Sequence, residues 1–386
     1  MSRSLLRASL APLLLLGLVS FLVSCSRTPL PPILVMGNDD SLTALAAEGE
    51  SVVLVAADPA RTVAQATWAP DGRLAVWTEV DSTAGRATIA MGDADDQRRI
   101  DGGTVPFFYA WNPGGDHVAY LGNAPDGSGV AMGLVDVAAG TARLVDSGAP
   151  YYLDWAPDGS RLAVHTDNTD VALIDLEGRR EPLPVEPGLF QAPEYLSDGR
   201  ILIATAGDQR GVAVVGADGA VRTVGPADGV TFFSSSADED LVAYTDNSNN
   251  EVLGSLQVVG IDGSGHQTVT EGPVVAFEWS PTGARLLFLT LDRAARALVP
   301  RIWETGRLTE FEAVIPTAQT IAQYLPFWDQ YSRVLNLWAA DAGSFVLAVD
   351  RQGSGEIVLF DVESGQSRRL AAGRFASFAE GSGNQG

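Results

Sequence analysis

Few residues in this sequence have the types and spacings that carry enzymatic chemistry. The three histidines are His117, His165 and His266, and their spacing does not match that of metal ligands. No Gly-x-Ser-x-Gly motif is present to hold a nucleophilic serine. The sequence therefore predicts no catalytic residue, no metal site and no cofactor.

Acidic residues are the other candidates for chemistry. Two clusters, Asp93-Ala-Asp-Asp96 and Asp238-Glu-Asp240, carry the oxygen ligands that calcium prefers, but neither has the ordered spacing of a calcium loop. We interpret both as acids that cap turns or face solvent, and calcium binding stays open as the alternative. A carboxylate pair for glycoside chemistry also stays open, because nothing in the sequence singles out one pair.

The only cysteine, Cys25, ends an apolar stretch near the start of the chain. This stretch follows a short segment with Arg3 and Arg7 and closes on small residues, which is the layout of a secretory signal. Its last four residues, Leu22-Val23-Ser24-Cys25, resemble the lipobox of bacterial lipoprotein signal peptides. That resemblance implies a signal peptide over residues 1–24, cleavage before Cys25, and a lipid on the cysteine thiol.

A transmembrane helix is the alternative for this stretch. Residues 8–24 are 17 positions long, at the short limit for spanning a bilayer, and Pro12 interrupts them. With a lipid anchor, residues 25–32 form a proline-rich tether, residues 33–379 the folded domain, and residues 380–386 a disordered tail. The chain is then expected at the cell envelope, on the inner or the outer membrane.

The charge of the chain argues against nucleic acid as a partner. It has 48 acidic residues against 25 basic ones, all arginine, for a formal net charge of -23. Such a chain repels phosphate backbones and offers them no basic surface. Contact with the membrane is therefore expected only through the N-terminal lipid.

A short motif recurs along the chain and indicates how it folds. Trp-Ala-Pro-Asp-Gly stands at Trp68 and again at Trp155, and related segments occupy the other repeat positions. The aromatic residues that anchor the copies are Trp68, Trp111, Trp155, Tyr195, Trp279, Trp338 and Phe378, with Ser235 in one degenerate copy. Proline, aspartate and glycine favour a tight turn, so each copy predicts a hairpin between two short strands.

The spacing of these anchors predicts the architecture. Most are 40 to 44 residues apart, and a second hairpin lies between successive anchors, as in VALIDLEG ending at Gly178. No helical periodicity follows residue 30. Four antiparallel strands per unit are typical of propeller blades, so we predict an all-β propeller with the anchors packed between neighbouring blades.

The motif Trp-Ser/Ala-Pro-Asp-Gly followed by an alternating strand resembles the TolB-type, WD40-like β-propeller repeat. The resemblance covers residues 33–379. It implies the propeller fold, whereas members of this family serve as envelope scaffolds, partner platforms and regulatory domains of peptidases. The family therefore indicates the fold more strongly than the function.

The two ends of the domain are expected to share one blade. Residues 33–37 begin a blade that lacks its innermost strand, and residues 373–380 supply a strand that ends in Phe378. We predict that this last strand pairs with the first and closes a ring of eight blades. Seven blades is the alternative, if Ser235 or the N-terminal strands do not form a complete blade.

The longest interval between anchors contains an insertion, residues 312–332. It places four aromatic candidates for recognition close together, Tyr324, Phe327, Trp328 and Tyr331. An aromatic loop on one face of a propeller suits a partner or a ligand. Packing of the same side chains over the channel mouth or against a neighbouring blade is the alternative.

We therefore predict a monomeric, lipid-anchored envelope propeller that binds a protein or a small ligand without catalysis. An enzyme that cleaves extracellular glycans or peptides is the rival function, and a passive assembly scaffold is a third. Convergent carboxylates in the axial channel, or a histidine with a carboxylate partner there, favour the enzyme. A shallow mouth covered by the aromatic insertion favours binding.

Overall fold

The computed structural model describes residues 32–189, 191–247 and 253–380. Across these ranges the chain forms eight antiparallel sheets, seven with four strands and one with three, arranged as the blades of a ring. The predicted all-β propeller with eight blades is confirmed. The predicted signal peptide, Cys25 and most of the tether lie outside the described residues, as do residues 381–386. No helix in the described ranges is long and apolar enough to cross a bilayer.

The strands are assigned here to blades 1 to 8 in chain order. Blade 1 contains Phe375–Phe378, Ile33–Met36, Leu42–Leu45 and Ser51–Val55, and blade 2 contains Arg61–Trp68, Ala75–Asp81, Arg86–Gly92 and Gln97–Ile100. Blade 3 contains Pro106–Trp111, His117–Asn123, Val130–Asp136 and Thr141–Gly148, and blade 4 contains Tyr151–Trp155, Arg161–Thr166, Asp170–Asp175 and Arg180–Pro182. Blade 5 contains Glu194–Tyr195, Ile201–Thr205, Gly211–Val215 and Val221–Gly225, and blade 6 contains Phe233–Ser235, Leu241–Asp246, Ser255–Gly260 and Gln267–Thr270. Blade 7 contains Val274–Trp279, Leu286–Asp292, Ala297–Glu304 and Arg307–Glu310, and blade 8 contains Ser344–Arg351, Ser354–Asp361 and Ser367–Ala372.

The ring closes by pairing the two ends of the domain. Phe375–Phe378 runs antiparallel to Ile33–Met36, with Ile33 opposite Phe378 and Met36 opposite Phe375. The predicted closure by the C-terminal strand is therefore confirmed. Because one blade takes strands from both ends of the chain, the ring cannot open at this seam without losing a row of backbone hydrogen bonds.

The recurring Pro-Asp-Gly segments form the turn between the first and second strands of a blade. In blade 2, Gly72 has a φ of 64° and donates its N–H to the Ala69 carbonyl, a backbone conformation that glycine adopts at little cost. The Asp71 carboxylate accepts the N–H of Arg73 at 3.0 Å. The same bonds recur in the turns of other blades. Because each of these turns joins the first strand of a blade to the second, all of them lie on one face of the ring, called here the anchor face.

The anchor residues lie where neighbouring blades meet. Trp155, Trp279 and Trp338 each donate the indole N–H to a backbone carbonyl of the preceding blade, at 3.0, 3.1 and 3.2 Å. The acceptor residue in each case immediately precedes the anchor position of that blade. Trp68, Trp111, Trp155, Trp279 and Phe378 are buried at the ends of first strands, Tyr195 is half-buried, and Trp338 pairs with Phe345 through a single bridge.

The insertion contains helices, where the sequence predicted none. A π-helical turn at Thr320–Tyr324, a 3-10 turn at Leu325–Phe327 and an α-helical turn at Trp328–Tyr331 follow one another, and a further 3-10 turn covers Gly207–Gln209. Each is three to five residues long. Segments this short cannot establish a helical periodicity, and tertiary packing rather than intrinsic propensity stabilises them.

Candidate functional site

The insertion and the segment after it cross the axis of the ring. This segment, residues 317–336, is called here the axial plug. It contacts first strands on all sides: Val334 accepts a hydrogen bond from Thr67 of blade 2, Tyr331 donates to Phe107 of blade 3, and Trp328 packs 4.3 Å from Phe277 of blade 7, ring centre to ring centre. The plug therefore closes the channel that a ring of eight blades would otherwise leave open.

Gln330 shows how the plug is held. The first strand of blade 4 has a backbone edge toward the axis, because no further strand pairs with it on that side. The Gln330 carboxamide accepts the N–H of Leu153 and donates to the carbonyl of the same residue, both at 2.8 Å. One side chain thus completes the inner edge of blade 4. On the blade 5 side, the Asp329 carboxylate accepts the N–H of Ala192 at 3.0 Å.

The four aromatic candidates of the insertion do not share one environment. Tyr324, Trp328 and Tyr331 are 4%, 2% and 7% exposed and pack inside the ring, whereas Phe327 is 49% exposed. Cavities of only about 20 Å³ remain beside Tyr324. Three of the four side chains are therefore enclosed by the blades, and Phe327 alone among them offers a large surface to a partner.

Above the plug a large cavity opens onto the anchor face. This axial funnel has a volume of about 1070 Å³. Its walls are anchor turns such as those at Pro70 and Pro157, and its floor is formed by the plug residues Ser332, Arg333 and Asn336. The combination makes a pocket that is open at one end and closed at the other, of the size that ligands and peptide segments occupy.

Acidic side chains occupy one repeat position beside the funnel. Asp154, Glu194 and Glu278 each immediately precede an anchor, in blades 4, 5 and 7. Each accepts a backbone N–H from the next blade: Asp154 from Tyr195 at 2.7 Å, Glu194 from Ser235 at 3.1 Å, and Glu278 from Leu337 at 2.9 Å. These carboxyl groups therefore link adjacent blades close to the axis.

Arg333 of the plug lies among these acids. Its guanidinium is 2.9 Å from the Glu194 carboxylate, and both side chains are only 11% exposed. Burial raises the pKa of both Asp154 and Asp329, and the charge of Arg333 partly opposes that rise. Three carboxyl groups thus surround a single cation.

Burial leaves some of these acids protonated near neutral pH. It raises the pKa of Asp154 to about 7 and that of Asp329 to about 6, against the opposing effects of hydrogen bonds and of Arg333. Burial also raises the pKa of Glu278 to about 8, where the Leu337 N–H is the only opposing contact. Glu278 Oε2 has no hydrogen-bond partner within the described ranges.

The histidines lie elsewhere in the ring. Buried His165 has Nδ1 2.9 Å from the Gln191 carbonyl, and His266 Nε2 is 2.7 Å from the Tyr244 hydroxyl. His117 is 3.1 Å from the Asp116 carboxylate, on the second strand of blade 3 rather than in the funnel lining. Over the described ranges, no three His, Cys, Asp or Glu side chains group as metal ligands would.

The two acidic clusters bond to their own turns. Asp93 accepts the N–H groups of Asp95 and Asp96 at 2.9 and 2.8 Å. Asp238 accepts the Ser236 hydroxyl at 2.5 Å. Asp93 and Asp238 therefore cap their own turns, whereas Glu239 accepts the N–H and the hydroxyl of Ser197 in blade 5, at 2.6 and 3.0 Å.

Sequence reasoning did not identify the charged residues at the funnel floor. A signal was present, because an acid precedes the anchor in three repeats, in positions that otherwise hold small or apolar residues such as Ala110 and Leu337. Arg333 carried no comparable signal. Its acidic neighbours Asp154 and Glu194 come from blades 4 and 5, which the plug reaches only when it crosses the closed ring.

Solved structures resemble this chain in fold. The dihydro-heme d1 dehydrogenase NirN in complex with DHE matches with a TM-score of 0.60 at 16% identity, over 92% of this chain and 76% of that one. A eukaryotic initiation factor matches with a TM-score of 0.54 at 13% identity, over 90% and 85%. TolB from Acinetobacter baumannii matches with a TM-score of 0.44 at 14% identity, over 83% and 82%. At these identities the likeness concerns the fold alone.

No protein-family model matches the sequence. No curated protein matches it either.

Proposed function

We propose that this protein is a non-catalytic binding module of the cell envelope. A lipid on Cys25 anchors it as a monomer, and its axial funnel binds a protein or small-ligand partner. The observation that carries this proposal is the blind funnel of about 1070 Å³, whose floor is a segment inserted between two blades.

The carboxyl groups that line the funnel are held in place by backbone groups of the ring. The described residues that line it include Asp154, Glu278 and Arg333 but no histidine. Asp154 and Glu278 already hold backbone N–H groups of the next blade, so they serve the ring as well as the cavity. A ligand would meet a fixed set of donors and acceptors, which favours selectivity.

Obstruction of the funnel tests this proposal. Ala237 is exposed and lines the funnel, and Ala294 is exposed in a turn of blade 7 on the opposite face. We expect Ala237→Trp to reduce the recovery of membrane partners in co-purification with mass spectrometry, and Ala294→Trp to leave it unchanged. Equal recovery with both variants would exclude the funnel as the binding surface.

A lyase or hydrolase acting on extracellular glycans or peptides is the second candidate. The observation in its favour is that burial raises the pKa of Asp154 to about 7 beside the Glu194 carboxyl group, so that Asp154 can hold and release a proton near neutral pH. Asp154→Asn preserves the bond to Tyr195 but cannot transfer a proton. Cleavage of an envelope glycan or peptide by the natural protein, lost in this variant, would establish the enzyme.

Phe327 provides a separate surface. It is 49% exposed and is not among the residues that line the funnel. Phe327→Ser removes this apolar surface without touching the buried aromatics. A partner that is lost with Phe327→Ser but retained with Ala237→Trp would place recognition on the insertion instead of in the funnel.

A further inference from the structure

The described chain begins beside the mouth of the funnel. The carbonyl of Pro32 accepts the N–H of Ala379 at 2.7 Å. Ala379 lies between Phe378 and Glu380, and both of these residues line the funnel. The chain therefore enters the fold on the anchor face, within one strand of the axis.

The proposed lipid anchor is close to this point. Cys25 precedes Pro32 by seven residues, and an extended chain of that length reaches about 25 Å. For the opposite face to lie on the membrane, the tether would have to pass outward over two strands, about 10 Å, and then along a blade, about 20 Å. The tether is too short for that path, so the anchor face stays on the membrane side.

The charge of the funnel indicates what enters it. Among the described residues that line it, Asp71, Asp158 and Glu380 are exposed acids, and Arg333 is the only basic residue. Arg333 is already paired with Glu194. Glu278, 8% exposed and part of the lining, leaves Oε2 without a hydrogen-bond partner in the described structure. The funnel thus has an acidic mouth and, near its floor, a buried carboxyl oxygen without a hydrogen-bond partner in the described structure.

We propose that the funnel faces the membrane that carries the lipid anchor and binds a basic segment of a protein held in that membrane. This inference rests on the proposed function and specifies its partner. Anionic lipid headgroups are a poorer fit, because Asp71, Asp158 and Glu380 at the mouth repel them. A segment carrying arginine or lysine meets the acidic mouth first and can donate to Glu278 below it.

The orientation is measured on the lipidated protein in vesicles. The thiol of Cys25 is blocked by the lipid, so Ala237→Cys and Ala294→Cys each carry one fluorophore, on opposite faces. Energy transfer to an acceptor lipid is expected to be greater from position 237. Greater transfer from position 294 would overturn the orientation. If Ala237→Trp still prevented partner recovery in that case, the funnel would remain a binding site and only this inference would fail.

The charge preference is measured with two short Gly-Ser peptides, one bearing arginines and one bearing glutamates. The arginine peptide is expected to bind the full-length lipidated protein, and the joint substitution Asp71→Asn, Asp158→Asn and Glu380→Gln to weaken binding roughly tenfold at low salt. The matched control neutralises Asp126, Asp208 and Asp292 on the opposite face and is expected to leave binding unchanged. Stronger binding of the glutamate peptide would overturn the proposal. Energy transfer from a fluorophore at position 237 that occurs only in vesicles with anionic lipid would also overturn the proposal, because it would indicate that the funnel contacts lipid headgroups directly.

Discussion

The guanidinium of Arg333 lies 2.9 Å from the carboxylate of Glu194. Arg333 belongs to the segment that enters from blade 7 and leads into blade 8, while Glu194 precedes the anchor of blade 5. The pair therefore joins the plug to the far side of the ring. Its burial makes it a sensitive probe of whether the plug and the blades form one cooperative unit.

Arg333→Met is expected to destabilise the fold by about 3–5 kcal/mol, because it leaves the buried Glu194 carboxylate without its partner. Urea denaturation measures this as a lower midpoint. The control is Arg179→Met, since Arg179 pairs with Asp175 at the surface, where water screens the two charges and the ion pair adds little stability. A loss for Arg333→Met no larger than the control would show that the plug does not support the ring.

Glu278→Gln is expected to change the pH dependence of stability. The pKa of Glu278 is about 8 in the folded protein against 4.5 as the ordinary value, so between these limits the folded state holds a proton that the unfolded chain releases. The free energy of unfolding of the natural protein therefore falls as pH rises through this window, by on the order of a few kcal/mol. Glutamine keeps the acceptor for Leu337 and removes this component.

The measurement for Glu278→Gln is the urea midpoint at several pH values from 5 to 9. The stability of the variant relative to the natural protein should increase up to pH 8 and then level off. Asp126→Asn is the control, because the pKa of Asp126 is lowered by Ser128 and this residue stays ionised in both states across that range. A constant difference between Glu278→Gln and the natural protein would contradict the assignment.

Gln330→Met is expected to cost about 1–3 kcal/mol, because the buried N–H and carbonyl of Leu153 lose their partner. Gln323→Met is the matched change on the same plug. Gln323 is exposed and bonds to Gln65 and Gln319, so its loss should be small. Thermal unfolding measures the loss of stability in each variant. Equal losses for Gln330→Met and Gln323→Met would mean that the inner edge of blade 4 does not depend on the plug.

Trp338→Phe and Trp68→Phe form a second matched pair. Both indoles are buried anchors, but Trp338 donates to the Glu278 carbonyl, and Trp68 Nε1 has no partner in the described structure. The Trp338 variant should lose roughly 1 kcal/mol more than the Trp68 variant, the value of one hydrogen bond. Denaturant titration at neutral pH compares the two losses of stability. A larger loss for Trp68→Phe would mean that the bond from Trp338 to Glu278 does not stabilise the contact between blades.

Affinity for the arginine peptide is expected to rise with pH between about 6 and 8. A cation favours the ionised forms of Asp154 and Glu278, whose pKa values are about 7 and 8, so binding releases protons. Arg333, Glu194 and Asp329 surround Asp154, and Tyr324 is the titratable group near Glu278. Calorimetry in buffers of different ionisation enthalpy measures the released protons. Affinity independent of pH would mean that the peptide does not reach the floor.

Much of the fold follows from local sequence. A turn such as Ala69-Pro70-Asp71-Gly72 is specified by the conformations its own residues favour, and its recurrence gives the size of the blades and limits their number to seven or eight. The pairing of the strands that contain Ile33 and Phe378 was also predictable. The sequence begins with a blade that has one strand too few, and it ends with a strand that belongs to no other blade. Repeats make such inferences possible because each copy confirms the others.

The insertion was the part that local sequence left undecided. Its short helical turns have too few residues to show a period, and the sequence left both a surface and an interior position open for the aromatic residues. Only the width of the closed ring decides that Trp328 meets Phe277 while Phe327 stays exposed.

The sequence by itself determined the repeat, the turns and the closure, since these depend on neighbouring residues and on a period that is copied along the chain. The tertiary structure alone decided the plug, the funnel and the charges around Arg333. Those features depend on distances across the axis, and residues as far apart in the chain as Glu194 and Arg333 become neighbours only when eight blades have assembled around it.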